Sequence, residues 1–342
     1  MCRDNRYSQV DGIFRQADKA RVEQDLSPGF YKYYKSFFKD PYKLERYFLS
    51  AKNIFQVLRG EGKTILDVGC GHGLITIFMA LLGAGEIIGV DENPDNIAVL
   101  NKILSRHSQA LTNMRAETGD ALSLAYGGNS FDILIITGAL SHLREVSPFF
   151  SEAKRVLKKT GTLYISLDNN SFNLRGRIFR RRFWKQAEFG PIDTPTQTRS
   201  FLEMRKDIIR NYNPRMIETE VENLSRMTQG MWGKEITEAV EEFDKYGRTS
   251  YSPRFKYRDP YSGQIPEAEL NPFKMANILR DYGFRVKVMR PFSCYTYPFI
   301  NFPCRSINDA FSIIKAYIKR LVSVCYPVSL LLSPVVEIIA VK

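Results

Sequence analysis

Cysteine is sparse in this sequence, and long apolar runs are absent. The five cysteines are odd in number, and no two are spaced as C-x-x-C. This argues against a structural zinc site and a disulfide framework, so a reducing cytoplasm is the expected compartment. The first twenty residues lack the apolar segment of a secretory signal. The longest apolar stretch, 321–336, contains Pro327 and Pro334, so we expect it not to span a membrane.

Negative charge is also in short supply. Lys and Arg number 49 against 37 Asp and Glu, which gives a formal net charge of +12. Such a balance favours an anionic partner: a phosphorylated substrate, nucleic acid or an acidic membrane surface. A hydrophobic content of 44% in 342 residues is ordinary for a globular protein with a sizeable core.

A knot of glycines follows an acid in the stretch Thr64–Ala80, TILDVGCGHGLITIFMA. The pattern predicts a buried strand at 64–68, a loop, and a helix at 74–82. Glycines at this place allow a ligand to approach the backbone at a helix N-terminus. The spacing is G-x-G-x-G and Leu74 stands where a dinucleotide fingerprint has its third glycine, which argues against a nicotinamide dehydrogenase.

Four further strands are predicted along the chain, at 86–93, before Asp120, at 131–140 and at 161–170. Asp91 ends the first of these. An acid about 20 residues after a glycine loop can accept hydrogen bonds from both hydroxyls of a ribose.

The motifs D-x-G-x-G-x-G, V-D, G-D-A and F-D-I-L-x-x-x-x-x-L-x-H-L occur in that order. Together they resemble the class I S-adenosylmethionine-dependent methyltransferases, most closely the ubiquinone-biosynthesis type, over about residues 52–170. The resemblance implies an α/β fold with a Rossmann-like seven-stranded sheet and S-adenosyl-L-methionine as cofactor. A Rossmann-like fold that binds another nucleotide, or none, is the alternative.

The resemblance also implies which residues bind the cofactor. The methionine part would be held by Asp67, Gly69, Cys70, Gly71 and Gly73, and the ribose by Asp91 and Glu92. The adenine would lie beside Asp120 and Ala121, and the methyl group beside Thr137 and Gly138.

The rest of the chain is predicted to complete the sheet and to add helical segments to it. Residues 51–170 and 270–342 would form the sheet domain, with a late helix at 270–283 and strands at 284–292 and 335–342. We expect an N-terminal helical lid at 1–50, a mainly helical cap at 171–269 with helices near 198–212, 214–228 and 233–246, and a second helical insertion at 293–334. The aromatic segment 30–48 either covers the cofactor or packs on the core.

Positive charge is concentrated in 171–215, with eleven Lys and Arg against four Asp and Glu. Arginine matches phosphate with forked donors. We therefore expect Arg175, Arg177 and Arg181, with Asn170, to bind a phosphate-bearing acceptor. A solvated basic face and a nucleic-acid surface are the alternatives. Nucleic acid is disfavoured because strand four ends in TGAL rather than the Asn/Asp-Pro-Pro-aromatic sequence of base-amino methyltransferases.

Apolar residues recur at helical spacing between 307 and 325. This predicts an amphipathic helix within 305–333. Such a helix can lie on the inner face of a membrane as a peripheral contact, pack on the core, or bind a second subunit. All three remain open, as does the oligomeric state.

The expected reaction is methyl transfer to an oxygen atom, in which a base assists loss of the acceptor proton. His142, just after strand four, is the predicted base, and Asp168 and Asn169 are predicted to bind acceptor hydroxyls or assist it. We expect no metal, because Thr137 and Gly138 stand where catechol-type enzymes carry an acid ligand. The expected acceptor is a small molecule or glycan: a sugar nucleotide or lipid-linked glycan precursor. A natural product or prenylated ring, and a non-catalytic cofactor-binding module, are the alternatives.

Overall fold

A computed structural model describes residues 5–22, 41–143, 145–190, 199–250, 256–261, 263, 268–291, 333 and 335–342. The strands are β1 Thr64–Val68, β2 Glu86–Asp91, β3 Met114–Thr118, β4 Phe131–Thr137, β5 Leu157–Leu167, β6 Arg285–Pro291 and β7 Val336–Val341. The helices are α1 Asn5–Val22, α2 Pro41–Val57, α3 Leu74–Leu82, α4 Pro94–Arg106, α5 Val146–Val156, α6 Leu174–Phe189, α7 Phe201–Tyr212, α8 Glu218–Met227, α9 Lys234–Tyr246 and α10 Pro272–Asp281.

The seven strands form one mixed sheet in the order β3-β2-β1-β4-β5-β7-β6. The first five pair in parallel, and β7 runs antiparallel between β5 and β6. This confirms the predicted seven-stranded Rossmann-like sheet. The strand order reverses direction between β1 and β4, and the carboxyl ends of strands at such a point are where ligands bind in open α/β sheets.

Alternation along the strands divides the core between the two faces of the sheet. Ile65 packs into one buried cluster, and Leu66 and Val68 pack into the other. Because successive side chains of a strand point to opposite faces, Asp67 shares the face of Ile65. The helix α3, which carries Phe78, covers this face.

The N-terminal helices pack on α3 through aromatic rings. Phe14 of α1 and Phe48 of α2 lie 6.4 and 5.5 Å from Phe78, measured between ring centroids. The described part of the aromatic segment therefore contributes to the core. Residues 30–40 lie outside the described residues, and a lid over the cofactor stays a prediction.

The cap, residues 174–268, is a compact unit separate from the sheet unit. Its helices α7, α8 and α9 enclose a small apolar core that includes Ile209, Leu224 and Val240. Arg205 and Glu188 form an ion pair that is 0% exposed at both side chains, and the Arg205 Nε also donates to the Ser225 carbonyl at 2.8 Å. Removing one partner of such a pair leaves a buried charge unbalanced, so this contact fixes α6 to α7.

The structure differs from the predictions at several element ends. Strand β2 stops at Asp91 because the Asn93 side chain caps α4, accepting from the Asp95 backbone N–H at 2.9 Å. Strand β4 stops at Thr137, and a 3-10 helix, Leu140–His142, follows it. The helix at Leu174–Phe189 was not predicted. The amphipathic helix predicted within 305–333 lies outside the described residues, and none of the described helices is long and apolar enough to cross a membrane.

Candidate functional site

The predicted cofactor residues lie in the loops that follow the carboxyl ends of the parallel strands. Gly69, Gly71 and Gly73 after β1 have positive φ angles of 70°, 57° and 79°, a region that glycine adopts without steric cost. A Cβ at Gly69 would stand 2.4 Å from the Ala139 Cβ, whereas one at Gly71 would meet nothing within 4 Å. The loop therefore abuts the β4 loop at one glycine and leaves open space at another.

Asp91 connects this loop to the end of β2. Its Oδ2 accepts a hydrogen bond from the Gly71 backbone N–H at 2.8 Å. Its Oδ1 accepts from the Asn93 backbone N–H and the Asn96 side chain, each at 3.0 Å. The Gly119 backbone N–H donates to the Asp91 carbonyl at 3.0 Å, so the end of β3 meets the same point. The hydrogen bonds of Asp91 therefore connect the loops that follow β1, β2 and β3.

Asp67 is a buried acid beneath the glycine loop, 1% exposed. Thr76 donates to its Oδ2 at 2.7 Å, and Oδ1 has no hydrogen-bond partner among the described residues. Burial raises the pKa of the Asp67 carboxyl to about 7, with the Thr76 hydrogen bond opposing the rise and the Asp91 charge adding to it. An unsatisfied buried acceptor of this kind points to a missing donor.

The remaining predicted cofactor residues surround this centre. Asp120 is exposed, and its Oδ1 accepts from the Leu122 backbone N–H at 2.8 Å. Ala121 is half-buried on the core. Gly138 has a φ of 65°, and a Cβ there would meet nothing within 4 Å. Thr137 and Cys70 are half-buried, and Glu92 is exposed.

The predicted catalytic residues come from the loops after β4 and β5. His142 ends the 3-10 helix and is exposed. Its neighbour Ser141 is 1% exposed, and the Ser141 hydroxyl donates to the Asp168 Oδ2 at 3.0 Å. This bond joins the two loops and holds the Asp168 carboxylate in one orientation. Ser141 was not among the predicted site residues, because a lone serine between Leu140 and His142 carries no recognisable pattern.

Asn169 and Asn170 have different surroundings. Asn169 is a non-glycine residue with a φ of 55°, a left-handed conformation that asparagine tolerates. Asn170 is 0% exposed, and its side chain donates to the Ser333 carbonyl at 2.8 Å and accepts from the Phe172 backbone N–H at 3.1 Å. Both contacts tie down backbone, so we do not retain Asn170 as an acceptor ligand.

Helix α6 distributes the three predicted phosphate-binding arginines around its axis. Successive residues turn by about 100°, so Arg175 and Arg177 point roughly 160° apart. Arg177 and Arg181 are one turn apart and share a side. Arg177 and Arg181 therefore lie on one side of the helix and Arg175 lies apart from them, and the binding of a phosphate-bearing acceptor by these residues stays a prediction. Among the described residues, no group of three His, Cys, Asp or Glu is placed to hold a metal ion.

Comparison with known proteins finds methyltransferases. A family model described as "Methyltransferase domain" matches residues 59–239. The ubiquinone biosynthesis O-methyltransferase of Chelativorans sp. (strain BNC1) is 34% identical over 116 residues, which cover 34% of this chain and 44% of that protein. The protein of the same name from Mesorhizobium japonicum is 30% identical over 116 residues, 34% of this chain and 45% of its own. The match thus spans less than half the length of these curated relatives.

Solved structures give a more distant likeness. A crystal structure of an S-adenosylmethionine-dependent methyltransferase from Mesorhizobium loti aligns over 85% of this chain and 98% of its own, with 14% identity and a TM-score of 0.44.

Replacing Asp67 by Asn tests the buried acid. Because the folded-state pKa is raised above the unfolded value of 3.8, the folded protein holds a proton that the unfolded chain releases between about pH 4 and pH 7. The contribution of Asp67 to stability is therefore greatest at low pH and declines as the pH rises to about 7. Urea unfolding should show the parent losing about 2 kcal/mol between about pH 5 and pH 7 that Asp67→Asn does not lose. Equal pH slopes for the two proteins would show that Asp67 does not titrate as described.

Proposed function

The chain belongs to the methyltransferase-domain family, and we propose that it transfers the methyl group of its cofactor, S-adenosylmethionine, to an oxygen atom of a polar acceptor that bears phosphate. The observation that carries the proposal is the glycine loop at the reversal point of the sheet, held open at Gly71 and fixed by Asp91.

The residues present fit the cofactor in two respects. Open positions at Gly71 and Gly138 leave room on both sides of the reversal point for a ligand to approach backbone. The Asp67 Oδ1 is a buried acceptor with no hydrogen-bond donor among the described residues. The ammonium group of S-adenosylmethionine would supply such a donor. Asp91 would accept from the ribose hydroxyls, and Asp120 with Ala121 would flank the adenine.

When bound, S-adenosylmethionine supplies a methyl group already activated by a sulfonium. What remains for the protein is to align the acceptor oxygen and to handle its proton. We assign His142 as the base that accepts this proton. Its exposure at the end of the 3-10 helix supports the assignment, because a base must reach the acceptor hydroxyl.

Asp168 would orient the acceptor. The Ser141 hydroxyl holds one oxygen of its carboxylate, so the group is preorganised to accept from an acceptor hydroxyl. Ser141 therefore acts through Asp168 as a positioning residue. Asn169, whose left-handed backbone follows immediately, is the second polar group offered by this loop.

The phosphate on the acceptor is inferred from the basic charge of the cap. Helix α6 begins at Leu174, six residues after Asp168 in the chain. Arg177 and Arg181 are one turn apart on the same side of the helix, Arg181 is exposed, and forked guanidinium donors of this kind would bind phosphate. Sugar nucleotides and lipid-linked glycan precursors both carry diphosphates, which match this pair.

A second candidate acceptor is a hydroxylated, prenylated ring. The names of the curated relatives, ubiquinone biosynthesis O-methyltransferases, favour it. A prenylated ring without phosphate would not need the arginine pair.

Replacing Asp91 tests the cofactor site. Asp91→Ala removes the ribose acceptor and the tether of Gly71 together, and hydrogen bonds to charged groups contribute about 1.5–3 kcal/mol each. Calorimetry should show S-adenosylmethionine binding about 100-fold more weakly. Asp91→Asn, which keeps one acceptor oxygen, should fall between that variant and the parent. Asp95→Ala, an exposed acid in the first turn of α4, is the control. Unchanged affinity in Asp91→Ala would contradict the assignment.

Replacing His142 tests the base. His142→Ala should lower kcat by about 100-fold or more and leave the Kd for S-adenosylmethionine unchanged, because the imidazole acts on the acceptor. His107→Ala, at the end of α4, controls for the loss of an imidazole elsewhere. Full kcat in His142→Ala would exclude the histidine as the base.

Paired acceptors test the phosphate. Methyl transfer to a uridine diphosphate sugar should exceed transfer to the free sugar by about 100-fold in kcat/KM, the equivalent of two charge-assisted contacts. Arg181→Gln should reduce this preference, and Arg215→Gln, an exposed arginine elsewhere in the cap, should preserve it. Preferential methylation of a hydroxylated prenylated ring would favour the second candidate instead.

A further inference from the structure

Helix α6 exposes an unusual amount of apolar surface. Thirteen large hydrophobic side chains are exposed among the described residues, and five of them lie on this helix. They are Leu174, Ile178, Phe179, Phe183 and Phe189. Phe179 is 71% exposed and Leu174 is 65% exposed. Concentration on one helix separates this surface from the scattered apolar residues found on any protein.

The opposite side of the helix accounts for its attachment to the cap. Ala187 is buried against Phe201, and Trp184 packs beside them. Glu188, the single acid in the helix, is buried in the pair with Arg205. These contacts fix which side of α6 packs against the other helices of the cap. The exposed apolar residues lie on the remaining side, which we call the outward side.

The outward side is also strongly cationic. Arg175, Arg182 and Lys185 are exposed among the apolar residues. Because Glu188 is neutralised inside the cap, no acid within the helix offsets these charges. A surface with this composition matches a partner that has an anionic layer above an apolar one. The headgroups of an anionic lipid bilayer, with acyl chains beneath them, have this arrangement.

We propose that the outward side of α6 docks in the plane of an anionic lipid bilayer. Ile178 and Phe179 would enter the boundary between headgroups and acyl chains, and Arg175 and Arg182 would contact lipid phosphates. Helix α6 has 16 residues and a length of about 24 Å, so it lies along the surface. Branched aliphatic side chains such as Ile178 favour lipid over nucleic acid, because they cannot stack on bases as aromatic rings do. The proposal does not depend on the acceptor or on the methyl transfer proposed above.

Sedimentation of the full chain with lipid vesicles tests the surface. The protein should bind vesicles of phosphatidylcholine containing about 30% phosphatidylglycerol and should bind pure phosphatidylcholine far more weakly. Ile178→Ser with Phe179→Ser should reduce partitioning about tenfold or more. Arg175→Gln with Arg182→Gln should remove the preference for the anionic vesicles. Each variant should retain the parent's Kd for S-adenosylmethionine, which separates docking from the cofactor site.

The matched control is Met227→Ser with Tyr246→Ser, two exposed apolar residues on other helices of the cap. This variant should bind vesicles as the parent does. If the Ile178 and Phe179 double variant lowers the melting temperature, the single Phe179→Ser, at the most exposed position, replaces it. The proposal is overturned if Phe179→Ser binds vesicles as tightly as the parent, if the control loses as much binding, or if the protein binds single-stranded polyuridine but not anionic vesicles.

Discussion

The hydrogen bond between the Gly71 backbone N–H and the Asp91 carboxylate is the contact on which the shape of the site depends. It joins the loop after β1 to the end of β2 at 2.8 Å. The same carboxylate accepts from Asn93 and Asn96 at the start of α4. Glycine supplies, without steric cost, the left-handed backbone that brings the loop N–H to this acid. The loop is therefore ordered by the protein itself, and a ligand that binds there need not pay for its ordering.

The sequence was informative wherever a residue type has only one structural use. The glycines of the loop and an acid at the end of a strand predicted the place of Asp91, and the family resemblance carried by the ordered motifs implied the seven-stranded sheet. It was less informative where several conformations share a composition. Helix α6 escaped prediction because its apolar and basic residues are mixed along the sequence, and the contacts of Ala187, Trp184 and Glu188 with the rest of the cap show which side is inside. Ser141 and the buried role of Asn170 depend on partners distant in the chain, Asp168 and Ser333, which no local pattern reveals.

Helix α6 of the cap has two sides of different composition. Its inner side is defined by a buried charge pair and Trp184, and its outer side combines exposed aromatic and aliphatic residues with arginines. Arg177 and Arg181, which share a side, are separated from Arg175 by the turn of the helix. The basic residues that form one cluster in the sequence are thus spread around the axis of the helix.

The central claim is that the site formed by the glycine loop and Asp91 recognises S-adenosylmethionine. Calorimetric titration of the purified full chain with S-adenosylmethionine and, separately, with NADH tests it most directly. We expect micromolar binding of S-adenosylmethionine and no binding of NADH, because Leu74 stands where a dinucleotide site requires a glycine. Binding of NADH, with none of S-adenosylmethionine either alone or in the presence of candidate acceptors, would contradict the account.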